Sequence, residues 1–343
     1  MRLTSTFERH DLDDPADVGA VRRRVVIRAR DLGLDEARAN DAAIVASELA
    51  SNVLKHAGRG GALSGAIEVG DQRGVAIVAW DRGPGMALDA CLRDGMSTSG
   101  TAGNGLGAVS RLATRWDAYA PIGGGTVVVA LILPPPSRRE PRPAFAVDIG
   151  AVSVPIAGEQ ACGDAWEAHV RGAVTTTVVA DGLGHGPEAA KAAAAVLAAV
   201  RDRPDDDLGP LIERAHRAAG GTRGAAATIA RIDRDAGELS VAAVGNVTPW
   251  LVTDGQRQLV TQHGTLGHAL PTVRVERYRF PAGATLILCS DGLKSRWALA
   301  DLPGLAARSP ALIAAVLWRD LQRGRDDATV VVVRPDAPPE APP

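Results

Sequence analysis

The chain has 343 residues, with 38 Lys and Arg against 40 Asp and Glu for a formal net charge of −2. This balance excludes the basic footprint of a nucleic-acid binder, and the length suits about two domains of ~150 residues each. Cys91, Cys162 and Cys289 lack metal spacing, no apolar run reaches the ~18 residues that span a bilayer, and Met1-Arg2-Leu3-Thr4 lacks the apolar core of a signal peptide, so a reduced cytoplasmic protein with no membrane partner is expected.

A strand-like start at 3–10 is followed by helical periodicity over 17–32 and 35–57, broken at Gly33 and ended at Gly58. On the second helix Val45, Leu49, Val53 and Ala57 share one face. Asp41, Glu48, Asn52 and Lys55 share the opposite arc, which stacks Glu48 on Asn52. Strands are predicted at 65–69 and 75–80, and the second runs into Asp81-Arg82-Gly83-Pro84-Gly85. A carboxylate at a strand end, followed by glycines that admit a close approach, suits a flat heterocycle. The glycine-rich stretch Asp94 to Gly107 leads into a helix near Leu106, a cradle for an anion. Strands at 116–120 and 125–132 close this half.

The run Leu133-Pro134-Pro135-Pro136 to Pro143 is a stiff linker, because proline fixes φ and removes a backbone donor. Beyond it, strands are predicted at 145–155, 174–180, 226–232, 238–244, 250–253, 273–280, 285–289 and 328–333, with helices at 187–200, 208–219 and 311–322. Strand pairs interrupted by helix pairs predict two sheets covered by helices. Acidic residues recur beside glycine at strand ends: Gly163-Asp164, Asp181-Gly182-Leu183-Gly184-His185-Gly186, Asp291-Gly292, and Gly324-Arg325-Asp326-Asp327. Hard oxygen ligands without His or Cys clusters select Mg²⁺ or Mn²⁺. Two such ions about 3.5 to 4 Å apart hydrolyse phosphate esters through an activated water. His185 and His56 read first as loop-shaping and helix-end residues, and Asn246 as a hairpin turn.

The order Glu48, Asn52, Asp81-x-Gly83-x-Gly85, Gly103-x-Gly105-x-Gly107, Gly125-Thr126 resembles the Bergerat-fold GHKL ATPases and kinases. It is most similar to the small serine kinases and anti-sigma factors of bacterial partner switching, with Asp94 to Gly100 of the RsbT type. The resemblance implies that Asn52 holds Mg²⁺, Glu48 accepts the substrate hydroxyl proton and Asp81 reads the adenine of ATP. It also implies that Gly83 and Gly85 shape the adenine pocket, that Gly103, Gly105 and Gly107 line the phosphates, and that Thr126 lies near the base. The second half resembles the PPM-type serine/threonine phosphatases of the SpoIIE-like branch, most closely RsbX-type enzymes. That resemblance implies two Mn²⁺ or Mg²⁺ ions, with Asp181 bridging and acting catalytically, the Gly182 carbonyl contributing, and Asp164 and Asp291 each binding one ion. Asp326 is chosen over Asp327 as the last ligand because the family's ligand is the first residue of this run. The family's Arg-x-x-x-Glu-Asp motif is absent, and no arginine is securely placed for the substrate phosphate.

The expected architecture is α+β in two domains, a Bergerat-type α/β sandwich followed by an αββα phosphatase sandwich. The expected boundaries are 1–133, a linker at 134–143, 144–335, and a disordered tail at 336–343. The expected function is a regulator that phosphorylates and dephosphorylates Ser or Thr on a STAS-domain anti-sigma antagonist or stressosome-type protein, with a sigma factor or anti-sigma factor as further candidate partners. The alternative is a phosphatase whose first half only binds ATP and sequesters a partner. If both sites ran freely the outcome would be ATP consumption, so a partner or the hinge is expected to gate one of them.

Overall fold

The structure is a computed structural model that describes residues 1–86, 105–135, 147–270 and 272–335. The tail at 336–343, most of the linker, Cys91 and Gly103 lie outside the described residues. Packing divides the chain into two compact units, each discontinuous in sequence. One comprises Thr6–Pro143 with Leu302–Arg319; the other comprises Met1–Ser5, Ala144–Asp301 and Asp320–Pro343. Two short segments thus fall outside the sequence partition at the proline run.

In the unit built around Thr6–Pro143, β1 (Arg2–Leu12) borders β2 (Gly60–Val69), followed by β3 (Gln72–Asp81), β5 (Val127–Ile132) and β4 (Arg115–Tyr119). Helices α1 (Pro15–Asp31), α2 (Glu36–Ala57) and α3 (Gly105–Leu112) complete it. Helix α1 starts two residues before the predicted Asp17. Asp14 caps it by accepting from the Ala16 N–H, Asp17 closes the capping box, and Pro15 occupies a first-turn position where its missing N–H costs nothing. Strand β2 begins five residues before the predicted 65, because Gly60 and Gly61 pair with Asp81 and Trp80. A Cβ on Gly61 would lie 2.2 Å from the Trp80 ring, so glycine is required there by packing and does not mark a loop.

Strand β3 is buried on both faces. Val75, Ile77 and Ala79 join the core formed with Val45, Leu49 and Val53 of α2 and Val109 of α3. On its other face, Trp80 meets Trp318 edge-on, with ring centroids 5.1 Å apart at 80°. Trp318 lies on α6 (Pro310–Leu321), whose residues Leu312 to Arg319 are all buried. A helix apolar around its whole circumference needs cover on every side, which explains why it is counted with this unit. Arg319 donates to the Asp81 carbonyl at 3.2 Å, and Arg82 donates to the Arg319 carbonyl at 2.9 Å.

The second unit contains two sheets. One has the order β13 (Glu276–Arg279), β10 (Glu238–Val244), β9 (Ala225–Asp233), β8 (Val174–Gly182), β7 (Asp164–Arg171). Arg2 and Leu3 of β1 pair with His169 and Ala168 of β7. The other sheet has the order β12 (Gln256–Gln258), β11 (Thr248–Val252), β14 (Thr285–Cys289), β15 (Ala328–Pro335), β6 (Val147–Val154). Helices α4 (Pro187–Asp202) and α5 (Leu208–Ala219) cover the first sheet through Val196, Val200, Leu211 and Ile212 against Val178 and Ile229. The expected α+β class holds, with mixed helices and antiparallel sheets. Strand β7 has no counterpart in the predicted elements because Glu167 and His169 interrupt its apolar pattern. Glu167 is fully buried and accepts from Arg201 at 2.9 to 3.1 Å, which offsets the desolvation of its charge.

Candidate functional site

In the first unit a cleft is lined by Leu49, Asn52, Asp81, Met86, Leu106 and Thr126, among others. Asp81 ends β3 and is buried. Its Oδ1 accepts from the Gly83 N–H at 2.8 Å and the Thr126 N–H at 3.0 Å, while its own N–H donates to the Thr126 carbonyl at 2.9 Å. Two amides thus fix the carboxylate, and among the described residues Oδ2 has no hydrogen-bond partner. A buried, oriented acceptor of this kind suits an exocyclic amino group. Gly85 sits against Pro121, where a Cβ would come within 2.1 Å of the carbonyl oxygen.

Glu48 and Asn52 lie one turn apart on α2, half-buried. Gly105, the first residue of α3, abuts both: a Cβ there would lie 3.1 Å from Glu48 Oε2 and 3.3 Å from Asn52 Nδ2. Gly107 occupies the first turn of the same helix. The start of α3 therefore meets the paired carboxylate and carboxamide that the sequence stacked, and the first amides of a helix have no partner within it. Asp41, on the same arc, instead pairs with Arg38 at 2.7 Å. His56 lies in the last turn of α2 and also lines the cleft.

In the second unit the acidic residues gather at one sheet edge. Asp164 begins β7 and Asp181 lies one residue from the end of β8, and the two are direct antiparallel partners. Asp291 follows β14, while Asp326 and Asp327 precede β15. Ser290 ties these groups together. Its Oγ donates to Asp164 Oδ2 at 2.6 Å and accepts from the Thr329 N–H at 2.9 Å. Asn246 Nδ2 donates to Asp291 Oδ2 at 2.6 Å, so its side chain serves this edge in addition to any turn. Both oxygens of Asp327 accept backbone amides, Ile156 N–H and Gly163 N–H, each at 2.7 Å. Among the described residues Asp326 Oδ1 accepts only the Asp327 N–H, at 2.9 Å. Gly182 allows β8 to meet α4, since a Cβ there would lie 2.0 Å from the Ala189 carbonyl oxygen.

Burial pushes the Asp181 carboxyl well above its ordinary range, and the charges of Asp164, Asp291, Asp326 and Asp327 push the same way. Burial raises Asp164 too, against the hydrogen bond from Ser290. It is also the leading cause of the upward shifts of Asp291 and Asp327. None of these five makes an ion pair among the described residues. Buried carboxylates that raise one another's affinity for protons are equally suited to a hard cation. The residues present therefore fit divalent metal. They are gathered at one edge and not closed around a point: among the described residues no three His, Cys, Asp or Glu side chains enclose a common position.

His185 Nδ1 is 2.8 Å from Glu159 Oε1, which holds the loop after Asp181. Ser290 and Glu159 are absent from the sequence-derived candidates. For Ser290 the signal was adjacency to Asp291-Gly292; for Glu159 no local pattern exists. Substituting Ser290→Ala should weaken Mn²⁺ binding about 10-fold by freeing the Asp164 carboxylate, measurable by titration calorimetry.

Residues 12–132 match the family described as histidine kinase-like ATPase domain, and residues 171–336 match that of stage II sporulation protein E. The serine/threonine-protein kinase RsbT of Bacillus subtilis is 36% identical over 121 residues, spanning 34% of this chain and 87% of that protein. The phosphoserine phosphatase RsbX of the same organism is 33% identical over 90 residues, spanning 26% of this chain and 45% of that protein. A solved structure from work on the bacterial stressosome, as a modular system adapted to control secondary messenger signalling, is 30% identical. It matches 55% of this chain and 99% of its own, with a TM-score of 0.52. Among the described residues no helix is long and apolar enough to cross a membrane. The chain thus belongs, through its first half, to the RsbT-type family of GHKL serine/threonine kinases, and fuses that domain to a SpoIIE- and RsbX-like PPM-type serine/threonine phosphatase domain.

Proposed function

We propose that this protein is a bifunctional partner-switching regulator, which writes phosphate onto a Ser or Thr of a STAS-domain anti-sigma antagonist or stressosome-type protein and erases it again. The observation that carries the reading is that one chain holds both a cleft with an oriented, buried Asp81 and an edge of mutually repelling carboxylates. In the first unit Asp81 would orient the adenine of ATP, Asn52 would hold Mg²⁺, and the amides at Gly105 and Gly107 would receive phosphate oxygens. Glu48 would accept the proton of the substrate hydroxyl. Phosphoryl transfer needs positioning and charge neutralisation more than covalent chemistry from the protein, which this set supplies.

In the second unit Asp164, Asp181, Asp291, Asp326 and the Gly182 carbonyl would hold two Mn²⁺ or Mg²⁺ ions. Such ions supply an activated water and neutralise the phosphoryl oxygens. Ser290 and Asn246 orient two of the carboxylates, and Asp327 fixes the loops at Ile156 and Gly163. Adding or removing a charge of about −1.5 to −2 on the partner would make or break its complex, with a sigma factor or anti-sigma factor released or captured as the consequence.

The test is transfer of labelled phosphate from ATP to STAS-domain candidates by the purified full chain. Glu48→Ala should lower transfer about 10²-fold while ATP affinity stays within about 2-fold, because a general base acts only in the transition state. Unchanged partner control by Glu48→Ala, with no transfer by wild type, would replace the kinase with a module that only binds ATP and a partner.

A further inference from the structure

Resting on the phosphatase reading, we propose that Arg223 receives the non-bridging oxygens of the substrate phosphate in the second unit. A phosphorylated serine or threonine brings a dianion to this edge, and beside the metal ions a guanidinium fork would fix the orientation of its outward oxygens. Arg223 lies in the loop between α5 and β9, and its Nη1 reaches the Asp181-Gly182-Leu183-Gly184 loop. A Cβ built on Gly184 would be 3.0 Å from that nitrogen. Gly184, with φ of 85°, takes a backbone conformation that favours glycine, and its bare Cα lets the guanidinium lie against the loop.

The backbone around Arg223 is held on every side. Thr222 Oγ1 donates to the Ala219 carbonyl at 2.6 Å and accepts from the Gly224 N–H at 3.0 Å. The Leu183 N–H donates to the Gly224 carbonyl at 3.0 Å, which ties the loop directly to the segment after Asp181. His268 Nε2 lies 2.9 Å from the Arg223 carbonyl oxygen. The side chain itself is exposed and, among the described residues, has no hydrogen-bond or carboxylate partner. Three other arginines of the same unit are engaged. Arg201 binds Glu167, Arg214 binds Asp206, and Arg231 binds the carbonyls of Pro204 and Asp206. A guanidinium on a pinned backbone with its five donors unspent, beside the metal-ligand loop, has the chemistry of a phosphate fork.

The experiment compares the full-length wild type, Arg223→Gln and Arg223→Lys in Mn²⁺. Initial rates are measured on p-nitrophenyl phosphate and a phosphoserine peptide, with inorganic phosphate as product inhibitor. Calorimetric binding of inorganic phosphate and of Mn²⁺ is measured alongside. Arg223→Gln should raise KM and the inhibition constant of phosphate about 10- to 100-fold while Mn²⁺ affinity is unchanged, and Arg223→Lys should recover part of the loss. Thermal unfolding equal to wild type assigns the loss to the site. Equal phosphate affinity in wild type and Arg223→Gln overturns the proposal. A wild type that hydrolyses neither compound but binds phosphate through Arg223 sinks the phosphatase reading and keeps the anion site. A wild type that neither hydrolyses nor binds phosphate sinks both.

Discussion

Asp181→Asn is expected to lower phosphate-ester hydrolysis by about 10³-fold, a loss of roughly 4 kcal/mol of transition-state stabilisation. Asp181 is the residue on which the other four carboxylates act, and it pairs directly with Asp164 across β7 and β8. Asparagine keeps its shape and removes one charge from the donor set. In the full chain supplied with ATP, Mg²⁺ and a STAS-domain partner, the same variant should accumulate label on the partner that wild type removes. A second consequence has the opposite sign. A carboxyl whose folded-state pKa is raised lowers stability at any pH above its unfolded value, because the unfolded chain ionises it more readily. Without added metal at neutral pH, Asp181→Asn should therefore unfold at higher denaturant than wild type. Full hydrolytic activity in the variant would remove Asp181 from the reaction, and a lower unfolding midpoint would mean that carboxylate repulsion does not govern the stability of this edge.

Trp318→Ala should destabilise the unit containing it by about 3 to 5 kcal/mol, read as a shift in the urea midpoint. Trp318 is 1% exposed, on a helix buried along its length, and its ring meets Trp80 edge-on, so truncation removes both buried area and an aromatic pair. Trp318→Phe should cost no more than about 1.5 kcal/mol, since the indole N–H is a buried donor without a partner among the described residues and its removal offsets the smaller ring. Trp80 immediately precedes Asp81, whose carbonyl accepts from Arg319, so Trp318→Ala should also weaken ATP binding. An unchanged midpoint in Trp318→Ala would mean that this helix does not cover Trp80 in solution.

Much of the fold is legible wherever apolar spacing and burial coincide. The bounds of α5 at Leu208–Ala219, β10 at Glu238–Val244 and β14 at Thr285–Cys289 follow from pattern alone. Pattern fails where a buried position is polar and paired, as in Glu167 of β7, or where packing demands glycine, as in Gly61 of β2. It also identifies α6 as apolar without saying which sheet it covers, because periodicity carries no partner information. At the sites, Glu48 and Asn52 are neighbours by helical repeat and can be read together, and Asp81 with Gly83 is local. The meeting of Asp164 with Asp181 depends on strand register, and that of Ser290 with Asp164 on residues 126 positions apart. Arg223 reaches Gly184 through a loop that no motif marks.

The assignment of Leu302–Arg319 to the unit of Thr6–Pro143, and of Met1–Ser5 to the other, bears on how such a gene can be divided. A stop codon in the proline run would release an upstream product whose Trp80 face is bare. The downstream product would expose an apolar helix with nothing to bury it, and would lack the strand residues that border β7. Each product should therefore be less stable than the same unit in the intact chain. Co-expressed, the two should rescue each other's stability as complementing fragments, so a cut at the proline run separates pieces of each unit and not two whole domains.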